Sequence, residues 1–172
     1  MKRATRIALK EVLLPLALAV ILALFIQATV AKPFEIPTGS MEPTINPSER
    51  VLANRFIYHL RDIKRGDIIV FNPPTFLNSD LPFVKRVIGL PGDVVEVRDG
   101  LTLVNGKPFV VPEATTPSYT YGPKTVPPGM LFVLGDNRNN SRDSHEWDFL
   151  NEKAVLGQVF MTYWPLDHLR IF

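Results

Sequence analysis

The stretch VLLPLALAVILALFIQATVA, Val12 to Ala31, runs for 20 residues without a charge. At a helical rise of about 1.5 Å per residue it spans roughly 30 Å, the hydrocarbon thickness of a bilayer. Lys2, Arg3, Arg6 and Lys10 precede it against Glu11 alone, and only Lys32 follows closely. This asymmetry predicts a basic cytoplasmic tail at 1–11, a transmembrane anchor helix at 12–31 and an extracytoplasmic remainder at 32–172. Pro15 falls in the first turn, where its missing N–H costs little. A cleavable leader is the competing reading, because Thr29-Val30-Ala31 offers small residues at cleavage-site spacing. The apolar run, however, exceeds the roughly 7–15 residues typical of such a leader. Under either reading, residues 32–172 end up outside the cytoplasm.

Beyond the first 11 residues the chain carries 15 bases and 16 acids, so the folded part has no basic excess with which to hold nucleic acid. A composition of 46% hydrophobic and 21% charged residues fits a packed domain rather than a disordered chain. There is no cysteine, which excludes disulfide scaffolds, thiolate nucleophiles and zinc ribbons. Sixteen prolines against ten glycines favour strands and stiff loops over long helices.

Short β-branched runs follow. Val51–Asn54, Asp67–Phe71, Phe83–Ile88, Met130–Leu134 and Ala154–Trp164 read as strands. Val94–Arg98, Leu101–Val104 and Phe109–Val111 are separated by Asp99-Gly100 and Asn105-Gly106, two dipeptides suited to tight hairpins, and predict a three-stranded meander. A short helical turn is expected near Phe56–Leu60, and loops over Asn72–Pro82 and Pro112–Gly129. The fold class is therefore all-β: a single N-terminal transmembrane helix followed by a compact antiparallel β-sheet domain.

Three segments carry chemistry. In Ile36-Pro37-Thr38-Gly39-Ser40-Met41-Glu42-Pro43-Thr44, two prolines stiffen the backbone and Gly39 permits close approach, which would display Ser40 on a rigid turn. A plain connector is the bland alternative. In Phe83–Asp93, Lys85 and Arg86 interrupt an apolar strand, and alternation sends one of them toward the core side. A snorkelling edge lysine is the alternative there. Gly135–Ser144 is dense in Asp, Asn, Ser and Arg, and a solvated polar loop would look the same.

Taken together, the Ser40 box, the KRVIGLPGD run and the GDNRNNS–RDS run, in that order and with Gly66–Phe71 between them, resemble the bacterial type I signal peptidases. These are membrane-bound Ser/Lys endopeptidases, and the likeness extends from the anchor through Trp164-Pro165. The resemblance implies a signal-peptidase type of catalytic domain on the outer face of the bacterial plasma membrane. By motif position it implies Ser40 as nucleophile and Lys85 as general base, with Thr38 and the Ser40 N–H as oxyanion donors. It further implies that Ser141 hydrogen-bonds and orients Lys85, that Asp143 supports it, and that Asp136 and Arg138 brace the same loop. Phe34, Ile36, Pro37, Met41, Ile45, Phe83 and Val84 are implied to bind an extended peptide with small side chains at −1 and −3 from the cut. Phe34–Pro37 and Phe83–Lys85 would flank that peptide as edge strands.

A lysine acts as a base only when neutral, and with an ordinary pKa near 10.4 it is neutral in roughly one molecule in 2,500 at pH 7. Neutralising it costs about 4–5 kcal/mol unless burial depresses the pKa. Phe83, Val84, Val87, Met41 and Ile45 are the apolar neighbours expected to provide that burial. A carboxylate touching the amine would undo the effect, so Asp143 is expected to pair elsewhere, with Arg142 or Arg86.

The sequence departs from the family pattern at Asn139, where an acid is common, and at His145, where an arginine is usual. His145 is not read as catalytic, since Lys85 stands in its full motif, and neither His59 nor His168 belongs to a metal cluster. No cofactor or metal is expected. Asp136–Asn140 lacks the glycine and closing glutamate of a calcium loop. The expected partners are signal peptides of secretory preproteins, the lipid bilayer and the adjacent translocation machinery, with no nucleic acid. A LexA-like self-cleaving Ser/Lys regulator would need a DNA-binding domain that residues 1–31 cannot form. A non-catalytic membrane-tethered β module and a mitochondrial inner-membrane peptidase complete the alternatives; the complete GLPGD and GDNRNNS runs suit the bacterial enzymes better.

Overall fold

The computed structural model describes residues 11–22 and 31–172. Residues 11–22 are helical, and their apolar side chains, Leu13, Leu16 and Ile21 among them, are exposed. Among the described residues no helix is long and apolar enough to cross a membrane. The rest of the expected tail and anchor, at 1–10 and 23–30, lies outside the described residues.

From residue 31 onward the chain forms strands: β1 (Ala31–Glu35), β2 (Arg50–Asn54), β3 (Ile68–Phe71), β4 (Phe83–Gly89), β5 (Val94–Arg98), β6 (Leu101–Val104), β7 (Lys107–Pro108), β8 (Tyr121–Thr125), β9 (Met130–Leu134), β10 (Leu150–Asn151), β11 (Val155–Trp164) and β12 (Arg170–Ile171). All pairings are antiparallel. The main sheet runs β1-β2-β11-β3-β4-β9-β10, with β12 also beside β11, and a smaller sheet runs β7-β6-β5-β8. β3, with the sequence IIVF, is buried at all four positions, as expected of a strand covered on both faces.

The hairpin turns form where the sequence places them. Asp99, Gly100, Asn105 and Gly106 all have positive φ, between 51° and 74°, the twist that matches a two-residue turn to its flanking strands. The meander's third strand differs from expectation: pairing covers Lys107–Pro108, and Phe109 adds only one bond to the Thr102 carbonyl. β6 is four residues long, so Phe109–Val111 find little left to pair with. The stretch 112–129, read as a loop, contains β8. Gly122-Pro123 conceals the strand in the sequence, yet Tyr121 pairs with Val97 and Thr125 with Val94 across β5.

Ile88, Val95, Val97, Val104, Tyr121, Phe132 and Leu134 form one buried cluster that joins the small sheet to β4 and β9 of the main sheet. Approach there is close. A Cβ on Gly89 would lie 2.6 Å from Val95 Cγ1 and 3.0 Å from Val126 Cγ2, so only glycine fits. The carboxyl-terminal segment is held separately: buried Glu49 accepts from Asn46, His168 and Arg170, which ties β12 back to the start of β2. Truncating Phe132, fully buried where the sheets meet, should cost about 3–5 kcal/mol. Chemical denaturation of Phe132→Ala measures this directly, and a loss below about 1 kcal/mol would contradict a shared core.

Candidate active site

Three segments converge at the mouth of the main sheet. β1 ends at Glu35, and the chain continues through Pro37 and Thr38 into a single 3-10 turn, Gly39–Met41. Met41 and Ile45 are fully buried in a cluster with Ile36, Val51, Ile68 and Val84. These apolar plugs fasten the turn to the sheet, so Ser40 sits on a rigid loop rather than a connector. β4 supplies Lys85, opposite Ile69 of β3. The third segment, 135–143, joins β9 to a short helix, Ser144–Trp147.

Lys85 is only 3% exposed, and its Nζ lies 2.5 Å from Ser40 Oγ. Burial lowers the amine from its ordinary 10.5 to about 8, against an upward push from the charges of Asp143 and Asp136. At pH 7 the neutral share therefore rises from roughly one in 2,500 to about one in ten. The Phe83 ring, 5.6 Å from the amine, forms part of its apolar surroundings. Thr38 Oγ1 donates to Ser40 Oγ at 3.4 Å, placing a second hydroxyl beside the first.

Arg86 points to the opposite face, as alternation requires, but it too is largely covered. Its guanidinium binds the Asp136 carboxylate at 2.6 and 2.9 Å and donates to the Gly66 carbonyl. Asp136, fully buried, also accepts from Thr44 Oγ1 at 2.5 Å. Asp143 does not contact the amine, as expected, but its partners differ from Arg142 and Arg86. It caps the short helix and accepts from the Gly135 N–H at 2.8 Å and from His145, through the backbone N–H at 3.1 Å and ring Nδ1 at 2.7 Å. Arg86 is committed to Asp136, while Arg142 lies 3.9 Å from Glu146. The bond from Asp143 raises the pKa of His145, which also stacks on Tyr119 with ring centroids 4.0 Å apart.

Ser141 departs from its expected role. Its Oγ is buried without a hydrogen-bond partner and does not reach Lys85. It packs instead against Gly135, where an added Cβ would meet it at 2.2 Å and the Ser40 carbonyl oxygen at 2.3 Å. Arg138 is buried and directs its guanidinium to Thr102 of β6, while its backbone N–H donates to Thr115 Oγ1. It thus joins the loop to the small sheet rather than bracing it internally. Among the described residues no group of three or more His, Asp and Glu side chains is arranged to hold a metal ion.

A groove of about 780 Å³ opens over Ser40 and Lys85. Phe34, Ile36, Pro37, Met41, Phe83 and Val84 line it, as the sequence reading has them. Ile45 does not; it supports the floor from behind, within the core. The strands beside the groove are open-edged. β1 pairs on one side only, and β9 meets β4 from Arg86 onward, leaving Phe83–Lys85 without a neighbour on that side among the described residues. Sequence reasoning missed the polar rim, Asn139, Asn140, Arg142 and Glu146, and also Leu81 and Pro82 from the loop after β3. It missed Asn137 as well. That residue lies within a run already singled out, but no spacing reveals what an amide touches.

Residues 9–164 match the protein family described as Signal peptidase, peptidase S26. Probable signal peptidase I-2 of Synechocystis sp. is 46% identical over 157 residues, which cover 88% of this chain and 71% of that protein. Signal peptidase I of Leptolyngbya laminosa is 41% identical over 94% of this chain and 82% of its own length. Signal peptidase I P of Bacillus subtilis subsp. natto is 35% identical over 89% of this chain and 88% of its own.

A lysine kept partly neutral by burial weakens the fold. Between about pH 8 and its ordinary 10.5 the unfolded chain binds the proton more readily than the folded one, so stability rises with pH across that window. Lys85→Met removes the penalty. At pH 7 the variant should be more stable than the parent by about 2–3 kcal/mol, and the gain should shrink above pH 8. Urea unfolding at pH 7 and pH 10 checks both signs, and a less stable Lys85→Met protein at pH 7 would contradict the desolvation argument.

Proposed function

The chain belongs to the signal peptidase S26 family, and from that premise we propose that it is a membrane-tethered serine endopeptidase in which Ser40 and Lys85 cut signal peptides from exported preproteins. Removal of signal peptides by a serine endopeptidase is the activity of this family. The contact that carries the residue assignment is the one between the buried Lys85 amine and the Ser40 hydroxyl. Neutral Lys85 takes the Ser40 proton as Oγ attacks the scissile carbonyl, then delivers it to the leaving amine as the acyl-enzyme forms. Water, deprotonated by the same amine, releases the acyl group. Thr38 Oγ1 and the Ser40 N–H stabilise the developing oxyanion, a contribution of about 2.7–4 kcal/mol for one such donor in comparable sites.

The groove supports an extended peptide. Phe34, Ile36, Met41 and Val84 give it shallow apolar walls, and the open edges of β1 and of Phe83–Lys85 offer backbone groups to an added strand. Small side chains at −1 and −3 suit such walls. Asp136 and Asp143, each engaged by other donors, keep the loop in place without touching the amine.

Cleavage of a preprotein by the full chain tests the dyad. Ser40→Ala and Lys85→Ala should each lose at least about 10³-fold in kcat, and Lys85→Arg should be equally inactive because a guanidinium does not give up its proton. In the parent, kcat/KM should climb as pH rises through about 8, the limb reporting the neutral amine. Near-parental turnover in Lys85→Ala, with loss in His145→Ala, would transfer the base role to the histidine.

We place the anchor within 12–30, because Ala31 already pairs with Asn54 in β1, and the active domain on the extracytoplasmic side, supported by the charge asymmetry and by the exposed apolar helix at 11–22. Only eight residues separate Ala31 from Ser40, which holds the nucleophile near the bilayer, where a translocating signal peptide emerges. A flexible insert just before Ala31, ahead of β1, should slow processing of membrane-inserted preproteins far more than of a soluble peptide. Equal losses on both substrates would show that the short spacer does not act as a tether.

A further inference from the structure

Asn137 grips the Ser40 turn from behind. Its side-chain Nδ2 donates to the Gly39 carbonyl at 3.0 Å and to Glu42 Oε2 at 3.3 Å, while its backbone N–H donates to the Ser40 carbonyl at 3.1 Å. Both side-chain partners are acceptors, which fixes the amide with its nitrogen toward the turn. The Gly39 carbonyl also accepts from the Glu42 N–H at 3.1 Å. In a trans peptide the C=O of one residue and the N–H of the next lie in one plane and point in opposite directions. Holding the Gly39 oxygen on the Asn137 side therefore turns the Ser40 N–H the other way. Gly39 and Ser40 line the groove and Asn137 does not, so the other way is into the groove. Among the described residues no acceptor takes that N–H.

We propose that Asn137 is a positioning residue for catalysis: through the Gly39 carbonyl it aims the Ser40 N–H at the site of the oxyanion. This rests on the assignment of Ser40 as nucleophile. Asn137 touches no reacting atom. Its effect is confined to the transition state, because a substrate carbonyl in the ground state gains little from a donor placed for the tetrahedral oxygen. Glu42 has a part in the arrangement. Its carboxylate folds over Gly39, where an added Cβ would come within 2.5 Å of Oε2, and the Asn137 amide is the donor that faces this charge.

The test compares Asn137→Ala and Asn137→Asp in the full chain with the parent and with Ser40→Ala. The readouts are kcat and KM on a preprotein, affinity for a peptide aldehyde, and affinity for uncleaved peptide in a Ser40→Ala background. The aldehyde is attacked by Ser40 Oγ, its carbonyl oxygen becomes the oxyanion, and the serine proton passes to Lys85. Expected are a fall in kcat of about 10-fold to 100-fold, a KM within about twofold, aldehyde affinity falling in parallel with kcat, and unchanged affinity for uncleaved peptide. The double variant Asn137→Asp/Glu42→Gln restores a bond between positions 137 and 42 but provides no donor for the Gly39 carbonyl. Its thermal stability should recover while kcat stays low. Recovery of kcat along with stability would mean that the contact is only structural and overturn the proposal. So would an unchanged kcat in Asn137→Ala beside an inactive Ser40→Ala. Cleavage by Ser40→Ala itself would overturn the nucleophile assignment and this proposal together.

Discussion

An ammonium group loses far more on leaving water than any single contact in this fold returns, and the site is organised around that fact. Lys85 sits at 3% exposure on a strand whose residues other than Arg86 carry no charge, with its amine on a neutral hydroxyl. A carboxylate in the place of Ser40 Oγ would restore the charge. The two aspartates in the vicinity are needed for the loop, yet both push the lysine pKa upward. Each is occupied by other donors: Asp136 by Arg86 and Thr44, Asp143 by the Gly135 N–H and His145. The compensating cation for Asp136 comes from Arg86, the residue next to Lys85 in sequence. The period-two geometry of β4 lets Lys85 and Arg86 serve opposite faces with opposite requirements.

His145 enters this balance from the outside. It is hydrogen-bonded to Asp143 and stacked on Tyr119, at the position where the resemblance implied an arginine. A histidine is smaller, half-buried here, and carries its charge only below its pKa, which Asp143 raises. The bond to Asp143 is therefore an ion pair only with the ring protonated. Tyr119 comes from the loop between the small sheet's strands, as does Thr115, which accepts from the Arg138 N–H and donates to the Asp136 carbonyl. The small sheet therefore acts on the site through the loop it holds and contributes no side chain of its own strands to the groove.

Much of this was legible in the sequence because hydrophobic alternation and turn chemistry are local. β5, β6 and β9 fall within the expected bounds, and the two Asp/Asn-Gly turns adopt the φ values their residue types favour. What was hidden depends on distant partners. β8 contains Gly122-Pro123 and exists because β5 offers it an edge. Ile45 reads as a wall of the groove from its place beside the serine box, yet the turn at Gly39–Met41 rotates it into the core. Ser141 has the right residue type and the right motif, but its hydroxyl, packed against Gly135, makes no hydrogen bond to the amine. Residue types told which chemistry was present; which atoms meet was decided by backbone approaches that glycine permits and sequence spacing does not encode.

The same main sheet also explains how the groove stays open. β9 covers β4 from Arg86 onward, and a bulge between Val87 and Gly89 shifts the register just beyond. The covered half of β4 packs against the small sheet, where Gly89 allows the two sheets to touch. The uncovered half, Phe83–Lys85, has no strand neighbour on the groove side among the described residues, the kind of edge that folded proteins ordinarily protect. An edge of this kind beside the buried Lys85 amine is suited to an extended peptide rather than a folded surface. In the proposed function, pairing would set the peptide's backbone register against Ser40 before any side chain is read, and the apolar walls would then select on size. Selection by shallow pockets alone discriminates weakly, about 1–3 kcal/mol per methylene. A register fixed by strand pairing would add what the pockets lack, because a peptide displaced by one residue would turn its side chains to the wrong face.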